Sequence, residues 1–140
     1  MKKFKYNLEN VLQLKRFNEE ESRMALGLAI SILNDIENRI KDTAVRLHYA
    51  ATEMIHDTSQ MLIWNNYIIR LEMEKEKLLE QAAQAEIIVE EKRTLYMEAF
   101  KEMKMMEKNR EKKLKEYKRE VSLEEMDEVD DVFAAKRHNN

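Results

Sequence analysis

Residues 61 to 117 read MLIWNNYIIRLEMEKEKLLEQAAQAEIIVEEKRTLYMEAFKEMKMMEKNREKKLKEY. Alternate steps of three and four pick out Met61, Trp64, Ile68, Leu71, Lys75, Leu78, Ala82, Ala85, Val89, Lys92, Tyr96, Ala99, Met103, Met106, Arg110, Lys113 and Tyr117. Thirteen of those seventeen are apolar or aromatic, and no Gly or Pro interrupts them. A 3.5-residue period held over about eight heptads predicts one long α-helix that keeps a single stripe against a partner helix. At 1.5 Å per residue such a helix is roughly 85 Å long, too long for a compact globule of this size.

The composition agrees with a chain of helices and few turns: 38% charged residues, one Gly, no Pro and 7% aromatics in 140 residues. The absence of Cys removes disulfides, thiol nucleophiles and thiolate metal sites, and fits a reducing cytoplasm. No apolar run approaches the roughly 20 residues that span a bilayer, and no signal-peptide h-region opens the sequence, so a soluble protein without direct membrane insertion is expected. A net charge of −3 argues against nucleic acid as a partner, which needs a concentrated positive field.

Upstream of the seam, Lys2, Lys3 and Lys5 interleave with Phe4 and Tyr6, and Asn7 is placed to cap a helix starting at Leu8. The aromatic lead-in reads either as a partner contact or as a staple onto its own helix. Apolar positions then recur at Val11, Leu14, Ala25, Leu28, Ile32, Ile36, Ile40, Leu47, Ala50 and Met54, with repeated steps of four that suggest a drift toward 3.6. Gly27, between Ala25 and Ala29, marks an expected close approach of two backbones. His56 to Gln60 is the one credible turn, with Asp57 and Gln60 as a capping box for the second helix.

So short a link folds two long helices back antiparallel. With the pivot near Thr58, the first helix runs out opposite about position 108. Arg110 and Lys113 then lie beyond its reach, while Lys75 and Lys92 lie within the pair, near Asp42 and Glu21. Residues 101 to 120 hold nine basic and five acidic residues, and 122 to 131 hold six carboxylates and no base. Ser122 and Glu125 form a second capping box, which predicts a separate acidic helix bearing Leu123, Met126, Val129 and Phe133. The expected fold is all-α: a long antiparallel two-helix coiled-coil hairpin with a helical overhang and a short acidic C-terminal helix. Its helices cover about 8–55 and 60–120, its turn about 56–60, and its tail 122–140, all in one domain.

Catalytic chemistry is not evident. One Gly rules out a Gly-rich phosphate loop. Glu53 and His56 make the Glu-x-x-His step of di-iron bundles, but the second such step and the further inward glutamates are missing, so no metal site is assigned. Carboxylates on exposed helix faces more often solvate than catalyse. No catalytic residue and no cofactor is therefore assigned, and the protein is expected not to be an enzyme.

The opening stretch Phe4-Lys5-Tyr6-Asn7-Leu8-Glu9-Asn10-Val11-Leu12-Gln13-Leu14-Lys15-Arg16 resembles the N-terminal signature of the flagellar export protein FliJ family. Trp64 with Asn66-Tyr67 and Leu71-Glu72 after the turn, and Met126-Asp127-Glu128 in the tail, extend the resemblance along the chain. Stalk proteins of non-flagellar type III secretion would look much the same. The resemblance implies a non-enzymatic cytoplasmic stalk, similar in shape to the central stalk subunit of rotary ATPases and peripheral at the inner face of the cell membrane.

Its implied partners are the hexameric flagellar export ATPase, the cytoplasmic domain of the export gate membrane protein, and export chaperones. By the same resemblance the ATPase ring would take the end with both termini, through Phe4, Tyr6, Leu8, Leu12, Met103, Met106, Arg110 and Tyr117. The gate would take Tyr49, Tyr67, Leu71 and Leu78 near the turn, although Glu74 and Leu78 stand where some relatives carry a small residue and a His. Leu71 and Leu78 also belong to the seam, so a structural role competes there. Two other readings of the chain stay open: a chaperone that escorts secreted substrates along its Met-rich segment, and a self-associating structural coiled coil.

Overall fold

The computed structural model describes residues 2–139, which form two long helices joined by a short turn, with no strand among them. Helix α1 spans Glu9–His56 and helix α2 spans Met61–His138. A single 3-10 turn, Thr58–Gln60, joins them. Two compact units divide the chain, Glu21–Met97 and the pair of segments Met1–Glu20 and Glu98–Asn140. Met1 and Asn140, the last residue of the expected tail, lie outside the described residues.

The turn is built by Asp57, whose carboxylate accepts from Ser59 N–H at 3.1 Å and from the Ser59 hydroxyl. Its own N–H donates back to Glu53 O at 3.0 Å, so the donor that a Gln60 capping box would use is already taken. At the start of α1, Glu9 N–H donates to Tyr6 O at 3.1 Å and Leu12 N–H to Leu8 O at 2.9 Å. A backbone turn through Tyr6, rather than a bond from the Asn7 side chain, opens the helix.

The seam of α2 lies where the heptads put it. Leu71, Leu78, Ala82, Ala85, Val89 and Met103 are buried, and the positions between them are half-buried. Met61 and Lys113 are the exposed exceptions.

The seam of α1 differs from the expected one in its first half. Its protected positions are Leu12, Lys15, Glu19, Ser22, Leu26, Ala29, Leu33, Ile36, Ile40, Thr43, Leu47, Ala50 and Met54, a strict alternation of three and four with no drift. Val11, Leu14, Leu28 and Ile32, read as stripe members, are exposed. Lys15, Glu19 and Ser22 hold seam places there instead, and Thr43 holds one further on. Among them, Lys15 is tied across the helices by Glu102 at 2.8 Å. Buried Thr43 is satisfied by donating to Arg39 O at 2.9 Å. No buried side-chain N or O among the described residues lacks a partner.

Further expectations are corrected. A Cβ on Gly27 would meet nothing within 4 Å, so no close approach occurs there; the small residues buried in the seam are Ala29, Ala50, Ala82 and Ala85. Neither Lys75 with Asp42 nor Lys92 with Glu21 comes within 4.0 Å, and the half-buried lysines lie along the seam edge with their heads free to reach water. The acidic segment is not a separate helix, since α2 runs unbroken to His138. Ser122 and Glu125 would cap a new helix only where something ended the old one, and no Gly or Pro does so. Lys136, Arg137 and His138 in the last turn complement the C-terminal dipole.

Candidate functional site

Two side-chain clusters stand out, one in each unit. Near the turn, Tyr49 of α1 meets Trp64 edge-on with ring centroids 6.1 Å apart, and Trp64 meets Tyr67 in the same way at 6.1 Å. A shallow cavity of about 360 Å³ lies among Tyr49, Gln60, Ile63, Trp64, Tyr67 and Arg70. Tyr49 is 60% exposed, and Trp64 and Tyr67 are half-buried. Aromatic edges that are held by one another yet face water make rigid contact area at low entropic cost.

Of the turn-end residues picked from sequence, Tyr49 and Tyr67 belong to this cluster, while Leu71 and Leu78 are 3% and 6% exposed in the seam. A side chain that far removed from solvent packs the hairpin and is unavailable to a partner. Trp64, a seam residue that also carries the family resemblance, has no site role in the sequence reading; its bridging of the two tyrosines depends on the α1–α2 register, which brings Tyr49 opposite.

In the other unit the segment before α1 lies along α2. The Tyr6 hydroxyl donates to Asn109 Oδ1, and the Tyr117 hydroxyl donates to Lys2 O. The Phe4 ring centroid sits 5.5 Å from that of Tyr117, and the Arg110 guanidinium lies over the Phe4 ring, 5.6 Å from its centroid. Arg110 also donates from Nε to Glu9 at 3.0 Å, and Arg16 pairs with Glu107 at 3.5 Å. The Arg110 hydrogen bond first and the Gln13 amide at 3.2 Å next, with the charges of Arg110 and Arg16 beside them, hold the Glu9 carboxyl below its ordinary value.

The eight terminal-end residues picked from sequence thus all lie in this unit, but in unequal states. Tyr6, Leu12 and Met103 are buried and hold it together; Phe4, Met106, Arg110 and Tyr117 are half-buried; Leu8 is exposed. The overhang expected beyond about position 108 is corrected as well. Arg110 reaches Glu9, and the strap of residues 2–6 lies against Tyr117, so α2 lacks a neighbour only after Val121. An open groove of about 1010 Å³ remains beside the strap, with Lys3, Lys5 and Lys113 facing Glu116, Glu120 and Glu124. Among the described residues no group of three His, Asp or Glu is placed to hold a metal, and no helix is long and apolar enough to cross a membrane.

A family model described as Flagellar FliJ protein matches residues 4–140. No curated protein and no solved structure matches the chain.

Proposed function

Because the chain belongs to the flagellar FliJ family, which has a role in flagellar export, we propose that it is a non-enzymatic stalk that binds the hexameric export ATPase at its terminal end and the export gate near its turn. The observation that carries this reading is the match over residues 4–140, which takes in the N-terminal strap, the turn and the tail together. Geometry supports a division of labour between the two clusters. Mutually braced aromatics, exposed Tyr49 with half-buried Trp64 and Tyr67, suit a small apolar recess on the gate's cytoplasmic domain.

At the terminal end, Phe4, Leu8, Met106, Arg110 and Tyr117 offer the accessible part of the ring contact, with Tyr6, Leu12 and Met103 as its internal support. Lysines on residues 101 to 118 would steer that end toward acidic loops. On this reading the protein works in the cytoplasm, peripheral at the membrane through its partners.

A pull-down from lysate with the purified chain tests the reading. Recovery of the export ATPase and the gate protein is expected. A spread of secreted subunits without the ATPase would favour the escorting chaperone instead.

A further inference from the structure

From Ser122 to Asn139 every residue of the chain is exposed, among them Met126 at 61% and Phe133 at 60%. A single helix with no neighbour gains nothing from packing and is marginal in water at this length. Its apolar residues are nonetheless patterned. Lys108, Lys112, Lys115, Arg119, Ser122, Met126, Val129 and Phe133 follow one another by strict steps of four and three, and all are exposed. They form a second heptad seam on α2, away from the face carrying Leu114, Tyr117 and Val121 that the strap side protects. Its first half is cationic and its second half is apolar.

We propose that this second seam is a self-association surface, on which two copies of the chain pair antiparallel about a two-fold axis between Glu120 and Val121. Antiparallel pairing with that centre sets Lys108 opposite Phe133, Lys112 opposite Val129, Lys115 opposite Met126 and Arg119 opposite Ser122, each layer repeated by symmetry. Every layer joins one basic residue to one apolar or small residue. The long Lys and Arg stems cover the apolar side chains, and their heads are left to meet carboxylates of the 124 to 131 run.

The flanking positions agree, since beside the layer of Arg119 and Ser122 the Lys118 of one copy lies diagonally across from Glu125 of the other, twice per dimer. A parallel pair would stack Lys108 on Lys108 and Lys112 on Lys112, which like charge opposes. Folding back within one chain would require α2 to break, and it does not. The inference is independent of the stalk reading.

Sedimentation equilibrium of the full-length chain at low ionic strength tests it, with far-UV circular dichroism as a check on helicity. The wild type is expected to dimerise and to weaken as salt is raised. Lys118→Glu alone and Glu125→Lys alone are each expected to weaken dimerisation about tenfold, since symmetry turns two attractions into two repulsions. Mixing those two variants restores pairing as a heterodimer, because each then offers only the charge the other needs. A wild type that remains monomeric, single variants that dimerise like the wild type, or a mixture that fails to pair would each overturn the proposal.

Discussion

Leu12 and Leu14 are two residues apart on one helix and look interchangeable in sequence, yet Leu12 is fully buried and Leu14 is 55% exposed. Leu12→Ala is expected to cost about 2–4 kcal/mol in chemical denaturation, and Leu14→Ala less than about 0.5 kcal/mol. Equal effects would mean that the α1 seam has another phase. A Cβ at Gly27 would enter open space, so Gly27→Ala should stabilise by about 1 kcal/mol through lower entropy of the unfolded chain. Glu9 carries a pH signature. Its folded value lies below its unfolded one, so its bonds to Arg110 and Gln13 favour the folded state above the ordinary Glu range and that support fades as pH falls through the lowered value. Comparing Glu9→Gln with the wild type, the stability gap seen at neutral pH should close on acidification; a gap that persisted would place the contribution elsewhere.

The two helices were unequally legible. Along α2 nearly every seam position is apolar, so the period alone found the buried face. Along the first half of α1 the seam places go to Lys15, Glu19 and Ser22, while Val11, Leu14, Leu28 and Ile32 lie outside it, and a reading that follows apolar residues is drawn off by them. Only the packing against α2 separates the two phases. The unbroken C-terminal run was missed for a different reason, as a capping box at Ser122 says where a helix is able to start and nothing about whether its predecessor stops. Residues 122 to 139 bury nothing within the chain. Deleting Ser122–Asn140 is therefore expected to leave the thermal midpoint of the remaining helices, followed by circular dichroism of dilute monomer, within about 2 °C of the full chain. A larger drop would show that the tail supports the hairpin.

For the molecule as a whole, the significant point is that its two surface clusters share no residue and no compact unit: Tyr49, Trp64 and Tyr67 lie in one, and the strap with Arg110 and Tyr117 in the other. Sequence resemblance named most of both sets, but it could not separate surface from support, since Leu71, Leu78, Tyr6, Leu12 and Met103 owe their burial to a register that sequence alone does not fix. Substitutions at well-separated sites without shared partners act additively, so on the stalk reading the two contacts should be separable by mutation. Tyr49→Ala with Tyr67→Ala is expected to weaken binding to the gate's cytoplasmic domain at least about tenfold while leaving melting and ATPase binding near the wild type. Arg110→Ala with Tyr117→Ala should do the reverse, weakening the ATPase contact and sparing the gate. Calorimetric titration of each partner into the chain already saturated with the other completes the square: if the chain couples the two partners, the second binds with undiminished affinity, and strict competition between them would leave it unable to act as a stalk.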